Sequence, residues 1–237
     1  MSDGPLVIGG TGGSGTRLFV GLAQSAGVQM GTLLNDSEDQ LEIAAYFDRW
    51  INRWLTEDRA CEKIMAKELG EIVNRHRAVP SVRWGWKEPR SVFLLEFLDR
   101  TFSGLRFLHV LRDGRDLAFS TNQNQLRKHG EVMLGSAGSV EPTRSIALWA
   151  KVNGAAADYA ESEMEGRYLR LRFEDLLSSP DEAASSLAEF CGEGRTSTAA
   201  LELLRPESLG AWRRAPSEVI RRLTEEAGPA LARFGYL

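Results

Sequence analysis

The chain has 237 residues, with 29 basic and 33 acidic side chains and a net charge of -4. That length suits one α/β domain, 1–237, with at most a helical insertion. The charge excludes a whole-molecule attraction to nucleic acid or to an anionic membrane, and with no apolar run near twenty residues and no charged-then-apolar leader, a soluble cytoplasmic protein is expected.

Leu6–Gly10 (LVIGG) reads as a short buried strand, and Thr16–Ala26 as a helix with Leu18, Phe19, Leu22 and Ala23 on one face. Helical patterns follow over 38–55 and 59–75, which together form an insertion of about 38–78. Val82–Lys87 reads as a second strand, stopped by Pro89. A helix is expected over 91–102, a third strand over Leu105–Arg112, and a helix from about Asp116. The Gly- and Ser-rich stretch 130–139 reads as a mobile loop, a lid over about 130–140. A long helix over 142–165, a fourth strand over 167–173 and short helices complete the chain. Strands alternating with helices predict a parallel sheet covered on both faces. Cys61 and Cys191 lack metal-ligand spacing and read as two idle thiols in a reducing compartment.

The stretch GGTGGSGTRLF, from Gly9, joins the first strand to the first helix. Strand, glycine-rich turn and helix N-terminus make an anion site, because glycines let successive N–H groups converge and the helix dipole adds partial positive charge. Donors would come from Ser14, Thr16 and the N–H groups of Gly13 to Arg17. The bland reading is a tight turn. The lysine of G-x-x-x-x-G-K-[ST] is absent, so no metal-bound triphosphate is expected, and a cation must come from elsewhere. In HVLRDGRDLAFSTNQNQ, from His109, Arg112 leaves a strand end and Ser120 follows on a helix. A planar fork and a hydroxyl suit a phosphate, although Arg112, Asp113, Arg115 and Asp116 also read as a solvated charge cluster.

Taken in order, these motifs resemble the sulfotransferase family that uses 3′-phosphoadenosine-5′-phosphosulfate (PAPS). GGSGTRL is similar to that family's 5′-phosphosulfate loop, which places Gly12, Gly13, Ser14, Gly15, Thr16 and Arg17 around the donor. VLRDGRDLAFS is similar to its 3′-phosphate motif, with Arg112 and Ser120 at the phosphate-binding positions. LRFEDLLSSP and the tail GAWRR…AGPALARFGYL resemble bacterial members. The resemblance implies a P-loop-type three-layer α/β fold with a central parallel sheet flanked by helices. It also implies metal-free sulfuryl transfer from PAPS to a hydroxyl of a small molecule or glycan. The alternatives are a small-molecule kinase on the same fold and a catalytically silent nucleotide-binding module.

Cytosolic eukaryotic relatives carry a lysine where this chain has Gly13. Lys87, in WGWKEPR, is similar to a lysine of the family's tyrosylprotein branch and is the candidate replacement, with Arg90 second; the bland reading pairs Lys87 with Glu88. Asp36 is the first candidate base, Glu88 the second and His129 a weaker third, with Asp36 or Ser37 alternatively a helix cap. Arg213 or Arg214 is expected near the 3′-phosphate. His109 reads as a satisfied core histidine. Trp84 and Trp86 read as core and pocket wall. Phe47, Trp50 and Trp54 read as core or as an acceptor platform.

Overall fold

A computed structural model of the chain describes residues 4–56, 59–77, 83–192 and 209–237. Strand β1 (Leu6–Gly10) is buried along its whole length, as its apolar run requires. It pairs with β2 (Gly85–Lys87) on one side and β3 (Arg106–Leu111) on the other, and β4 (Tyr168–Arg172) lies beyond β3. All pairings are parallel, with Ile8 opposite Lys87 in β2 and Leu108 in β3. Parallel neighbours need crossovers, and helices supply them. Helices α1 (Thr16–Ser25), α2 (Leu41–Leu55) and α3 (Glu62–His76) join β1 to β2, and α4 (Leu95–Thr101) joins β2 to β3. Helices α5 (Gly114–Ala118), α6 (Asn124–Leu134) and α7 (Pro142–Glu163) join β3 to β4. After β4 come α8 (Phe173–Ser178), α9 (Pro180–Phe190) and α10 (Ser217–Arg233).

Successive strand side chains point to opposite faces, and the core divides accordingly. Ile8, Leu108 and Val110 pack with Phe19, Leu22 and Leu187 of α1 and α9. Val7, Phe107 and Trp86 pack with α2, α3, α4 and α7 on the other face. Helices α2 and α3, which lie within the expected insertion, help to build this core. Phe47, Trp50 and Trp54 all belong to it, so none is an acceptor platform. Cys61 and Cys191 are buried free thiols. Among the described residues no helix is long and apolar enough to cross a membrane.

Several boundaries differ from the sequence reading, and β2 starts at Gly85 rather than at Val82. Helix α2 starts at Leu41, not residue 38: the Gln40 side chain caps it, accepting from Ile43 N at 2.7 Å. The preceding residues form a separate turn, with Glu38 at φ 62. Residues 59–61 and 89–94 are 3₁₀ turns, so α3 and α4 start later than expected. The loop expected from residue 130 is helical as far as Leu134, because Leu126, His129 and Gly130 bury one face of α6. Gly135, at φ 71, ends that helix. Val82 lies outside the described residues.

Candidate active site

The site forms at the carboxyl edge of the sheet, where ligands of open α/β sheets bind. After β1 the chain turns through Thr11–Gly15. Ser14 braces this turn from within: its hydroxyl donates to the Thr11 carbonyl at 2.7 Å and lies 3.1 Å from the Thr11 hydroxyl. Gly13 and Gly15 have φ of 88 and 82, backbone that L side chains rarely adopt. A Cβ on Gly15 would stand 2.3 Å from Cδ2 of Phe173. No side chain caps α1, which leaves its first N–H groups to face an anion. Thr16 is buried at that terminus. Arg17 is exposed and makes no hydrogen bond or ion pair among the described residues.

The second motif meets the first at Gly13. Arg112 donates from Nη1 to the Gly13 carbonyl at 3.3 Å and lies over the Phe173 ring, 5.1 Å from its centroid. The Ser120 hydroxyl lies 3.6 Å from where a Cβ on Gly13 would stand, facing Gly13 from the other motif. The charge cluster around Arg112 therefore divides by task. Arg115 forks onto Asp113, with Nη2 2.8 Å from Oδ2. Asp116 holds the tail, accepting from the N–H groups of Gly210 and Trp212 at 2.8 and 3.1 Å. Arg115 stacks 3.9 Å from the Trp212 ring centroid and donates to the Tyr236 carbonyl at 2.7 Å. The tail thus folds back beside the second motif, with Arg213 and Arg214 exposed on it. Phe173, which sits between Gly15 and Arg112, went unnoticed in the sequence. Its signal was its place directly after β4 in LRFEDLL.

Lys87 ends β2 and is 2% exposed. Its ammonium lies 2.5 Å from Oδ1 of Asp39 and donates to the Ser37 carbonyl. Asp39 is held in turn by Asn35, whose side-chain oxygen accepts from the N–H groups of Ser37 and Asp39 and whose amide donates to Oδ2 of Asp39 at 3.1 Å. Asp36 is exposed and bonds to nothing among the described residues. The alternative Lys87–Glu88 pair does not form. Glu88 pairs with Arg90, 2.8 Å from Nε to Oε1, and burial pushes its carboxyl up against the pull of that arginine. Arg90 also bonds Asp48 and donates to the Ala44 carbonyl at 2.9 Å, so it is committed to structure.

His129 is buried with Nδ1 2.7 Å from Oδ1 of Asn52, and burial, with the nearby charge of Arg90, lowers its pKa to about 4. His109 sits between Tyr168 and Asn153, at 2.8 and 2.9 Å, as a satisfied core histidine. Trp86 is core, donating to Ser91 at 3.3 Å, and Trp84 is partly buried against it. A cavity of about 260 Å³ lies beside Asp39, walled by Asp48, Glu88, Arg90, Gln125 and Lys128. Gln125 reaches from it to the Gly10 carbonyl at 3.4 Å, so the cavity adjoins the glycine loop.

Sheet order, with the glycine loop and the uncapped helix at its carboxyl edge, defines a P-loop-type α/β protein. The Sulfotransferase family model matches residues 5–196, and the chain belongs to that family. Its members transfer sulfuryl groups, so the protein is a transferase by family. Comparison with curated protein sequences gave no significant match. Among solved structures, the fold is similar to the sulfotransferase domain from the curacin biosynthetic pathway, with TM-score 0.60 and 14% identity over 100% of this chain and 99% of that one. The sulfotransferase from Alicyclobacillus acidocaldarius gives TM-score 0.60 and 15% identity over 98% and 94%. The sulfotransferase domain from the Synechococcus PCC 7002 olefin synthase gives 0.56 and 14% over 96% and 95%. At these identities the likeness establishes the fold.

Proposed function

We propose that the protein moves a sulfuryl group from PAPS to an acceptor hydroxyl of a small molecule or glycan. The observation that carries this reading is the meeting of Arg112 and Ser120 with Gly13, beside the uncapped start of α1. One anion cradle serves any phosphate; a second cation and hydroxyl fixed beside it suit a nucleotide phosphorylated at two places. The donor set fits: backbone N–H groups, a guanidinium and a hydroxyl, with glycines where a Cβ would fill the space.

When bound, the donor supplies a sulfuryl group on a phosphate leaving group. The N–H groups of Gly13 to Arg17 hold the 5′ end, and Arg112 and Ser120 hold the 3′-phosphate, with Arg213 and Arg214 closing from the tail. Lys87 and Arg17 balance charge at the reacting oxygens, where fixed donors stabilise a transition state more than a ground state. Asp39 takes the acceptor proton. Sequence alone favours Asp36 for that role, but Asp39 is the carboxylate set against Lys87. A carboxylate that lines the cavity can take a hydroxyl proton as a general base.

Calorimetry tests the donor. Adenosine 3′,5′-bisphosphate should bind much more tightly than AMP, and more tightly than ATP with Mg²⁺. Arg112→Ala should remove most of the gap to AMP, roughly 1.5–3 kcal/mol for a charge-assisted contact. Equal affinity of the wild type for bisphosphate and AMP would refute the assignment.

A further inference from the structure

We propose that the cavity beside Asp39 takes a neutral, hydroxyl-rich acceptor: one sugar ring, free or at the end of a larger glycoside. This rests on the sulfuryl-transfer reading and adds the acceptor class to it.

The first argument is the wall chemistry. Pockets for drug-sized apolar ligands are lined mainly by aliphatic and aromatic side chains. Here only Ala44 and Pro89 are apolar, and the nearby aromatic residues, Phe47, Trp50 and Trp54, are buried in the core. The remaining wall is amide and charge. An apolar acceptor would strip water from these polar groups without replacing its hydrogen bonds.

The second argument is charge balance. Each cation that lines the cavity already faces a carboxylate, as does Lys87 beyond its wall. Arg90 is shared by Glu88 and Asp48, Lys128 lies 2.6 Å from Oδ1 of Asp48, and Lys87 faces Asp39. Burial works to raise the Asp48 carboxyl, but Lys128 and Arg90 hold it below its ordinary value, so it stays an acceptor. An acceptor carrying its own carboxylate or sulfate would meet Asp39, Asp48 and Glu88 with the cations already engaged.

The third argument is the hydrogen-bond inventory. Both cations on Asp48 use Oδ1, and among the described residues Oδ2 accepts from nothing. The side-chain amino groups of Asn122 and Asn124 donate to nothing among those residues, while their carbonyl oxygens accept from Asn124 N and from Arg127. Free acceptors and free donors lining one cavity suit adjacent hydroxyls, each of which gives one hydrogen bond and takes others. About 260 Å³ is below the ~300–1,000 Å³ of pockets for drug-sized ligands, which leaves room for about one ring. Asn35, Asp48, Asn124 and Lys128 on its rim are exposed, so the rest of a larger glycoside can project into solvent.

Gln125 and Asn122 also adjoin Gly12: a Cβ there would stand 3.7 Å from Cδ of Gln125 and 3.8 Å from Nδ2 of Asn122. A ring in the cavity therefore lies between Asp39 and the glycine loop. In the transfer, the acceptor oxygen gains the bond to sulfur and its proton passes to Asp39. The bond from sulfur to the 5′-phosphate oxygen breaks, its electron pair staying on that oxygen.

The test has a binding arm and a turnover arm. In the first, protein loaded with adenosine 3′,5′-bisphosphate is mixed with methyl glucopyranoside, methyl galactopyranoside, glucuronic acid or 4-nitrophenol, and contacts are read by saturation-transfer NMR. The neutral glycosides should give contacts that the anionic sugar and the phenol do not. Asn124→Leu and, separately, Lys128→Met should weaken glycoside binding about ten- to hundredfold, leaving the bisphosphate affinity unchanged. In the second arm, labelled PAPS should sulfate the same glycosides. Bisphosphate binding with contacts and transfer only to the phenol would overturn the acceptor class and leave the function standing. So would glycoside binding that both variants leave intact. Failure of the bisphosphate to bind would overturn the function, and the acceptor class with it.

Discussion

Asp39→Asn separates the pairing of Lys87 from the chemistry of the site. In the wild type the Lys87 ammonium is 2% exposed and has two partners, Asp39 and the Ser37 carbonyl. Removing one partner of a fully buried ion pair costs about 3–5 kcal/mol. Asp39 is 19% exposed and the carbonyl remains, so the low end applies, about 3 kcal/mol. For a chain of this length, 1 kcal/mol moves Tm by about 2–4 °C, so a fall of roughly 6–12 °C is expected. Adenosine 3′,5′-bisphosphate should then recover more stability in the variant than in the wild type. In the wild type an incoming anion draws Lys87 from a carboxylate; in the variant Lys87 has no carboxylate to leave. Scanning fluorimetry with and without nucleotide reads both effects. Turnover should fall by roughly 10²–10⁴-fold, the scale of general base catalysis. Asp36→Asn is the control, and both Tm and turnover should stay near wild type. If Asp39→Asn leaves Tm and turnover unchanged, the pair does not form in solution and the base is Asp36 or Glu88.

Gly15→Ala should cost roughly 2–4 kcal/mol, from a left-handed backbone and the 2.3 Å approach to Phe173, and should weaken bisphosphate binding. Unchanged calorimetric affinity would show that the start of α1 is not the anion site. Stability should fall with acid. His109 and His129 have pKa values near 4 when folded against 6.5 for the free side chain, so between those values the unfolded chain binds more protons. Each ring then withdraws up to roughly 3 kcal/mol as pH drops from about 6.5 to 4. Glu88 and Glu174 act with the opposite sign, since their raised folded values make stability fall as pH rises above 4.5. Tm measured from pH 4 to 7 checks the net slope, and His129→Gln should flatten it; an unchanged slope in that variant refutes the assignment.

The strands, the glycine loop and the Arg112 segment were legible because their signals are local. A buried apolar run in β1 and β3, glycines before a helix, and an arginine at a strand end each carry their meaning within a few residues. What the sequence hid was set by distant packing. The glycine and charged residues of α6 read as loop until Leu126 and His129 find the core. The early turns of α2 read as helix because acidic residues suit a first turn. Asn35 instead folds that segment on itself through the N–H groups of Ser37 and Asp39. The choice of Asp39 over Asp36 follows from this turn and from Lys87, 48 residues away. No period or composition links residues so far apart.

Strand order accounts for the site as a whole. Gly13 is a poor place for a lysine here: its φ is 88, and a Cβ on it would stand 3.0 Å from Cδ2 of Leu117. The loop nevertheless leaves the central strand, β1, and both neighbouring strands run parallel to it. Their carboxyl ends must therefore arrive at the same edge as the loop. Lys87 ends β2 opposite Ile8, and Arg112 follows β3, whose Val110 lies opposite Gly10. A cation follows the end of each neighbouring strand: Arg112 bonds the Gly13 carbonyl, and Lys87 pairs with Asp39 beside the cavity. On the proposed function these are the two regions that need charge, one at the 3′-phosphate and one at the reacting oxygens. A loop on an edge strand would have only one such neighbour, and a site without its own lysine would then be short of a cation. On that reading, placing β1 between β2 and β3 lets a loop without a lysine draw its cations from both neighbouring strands.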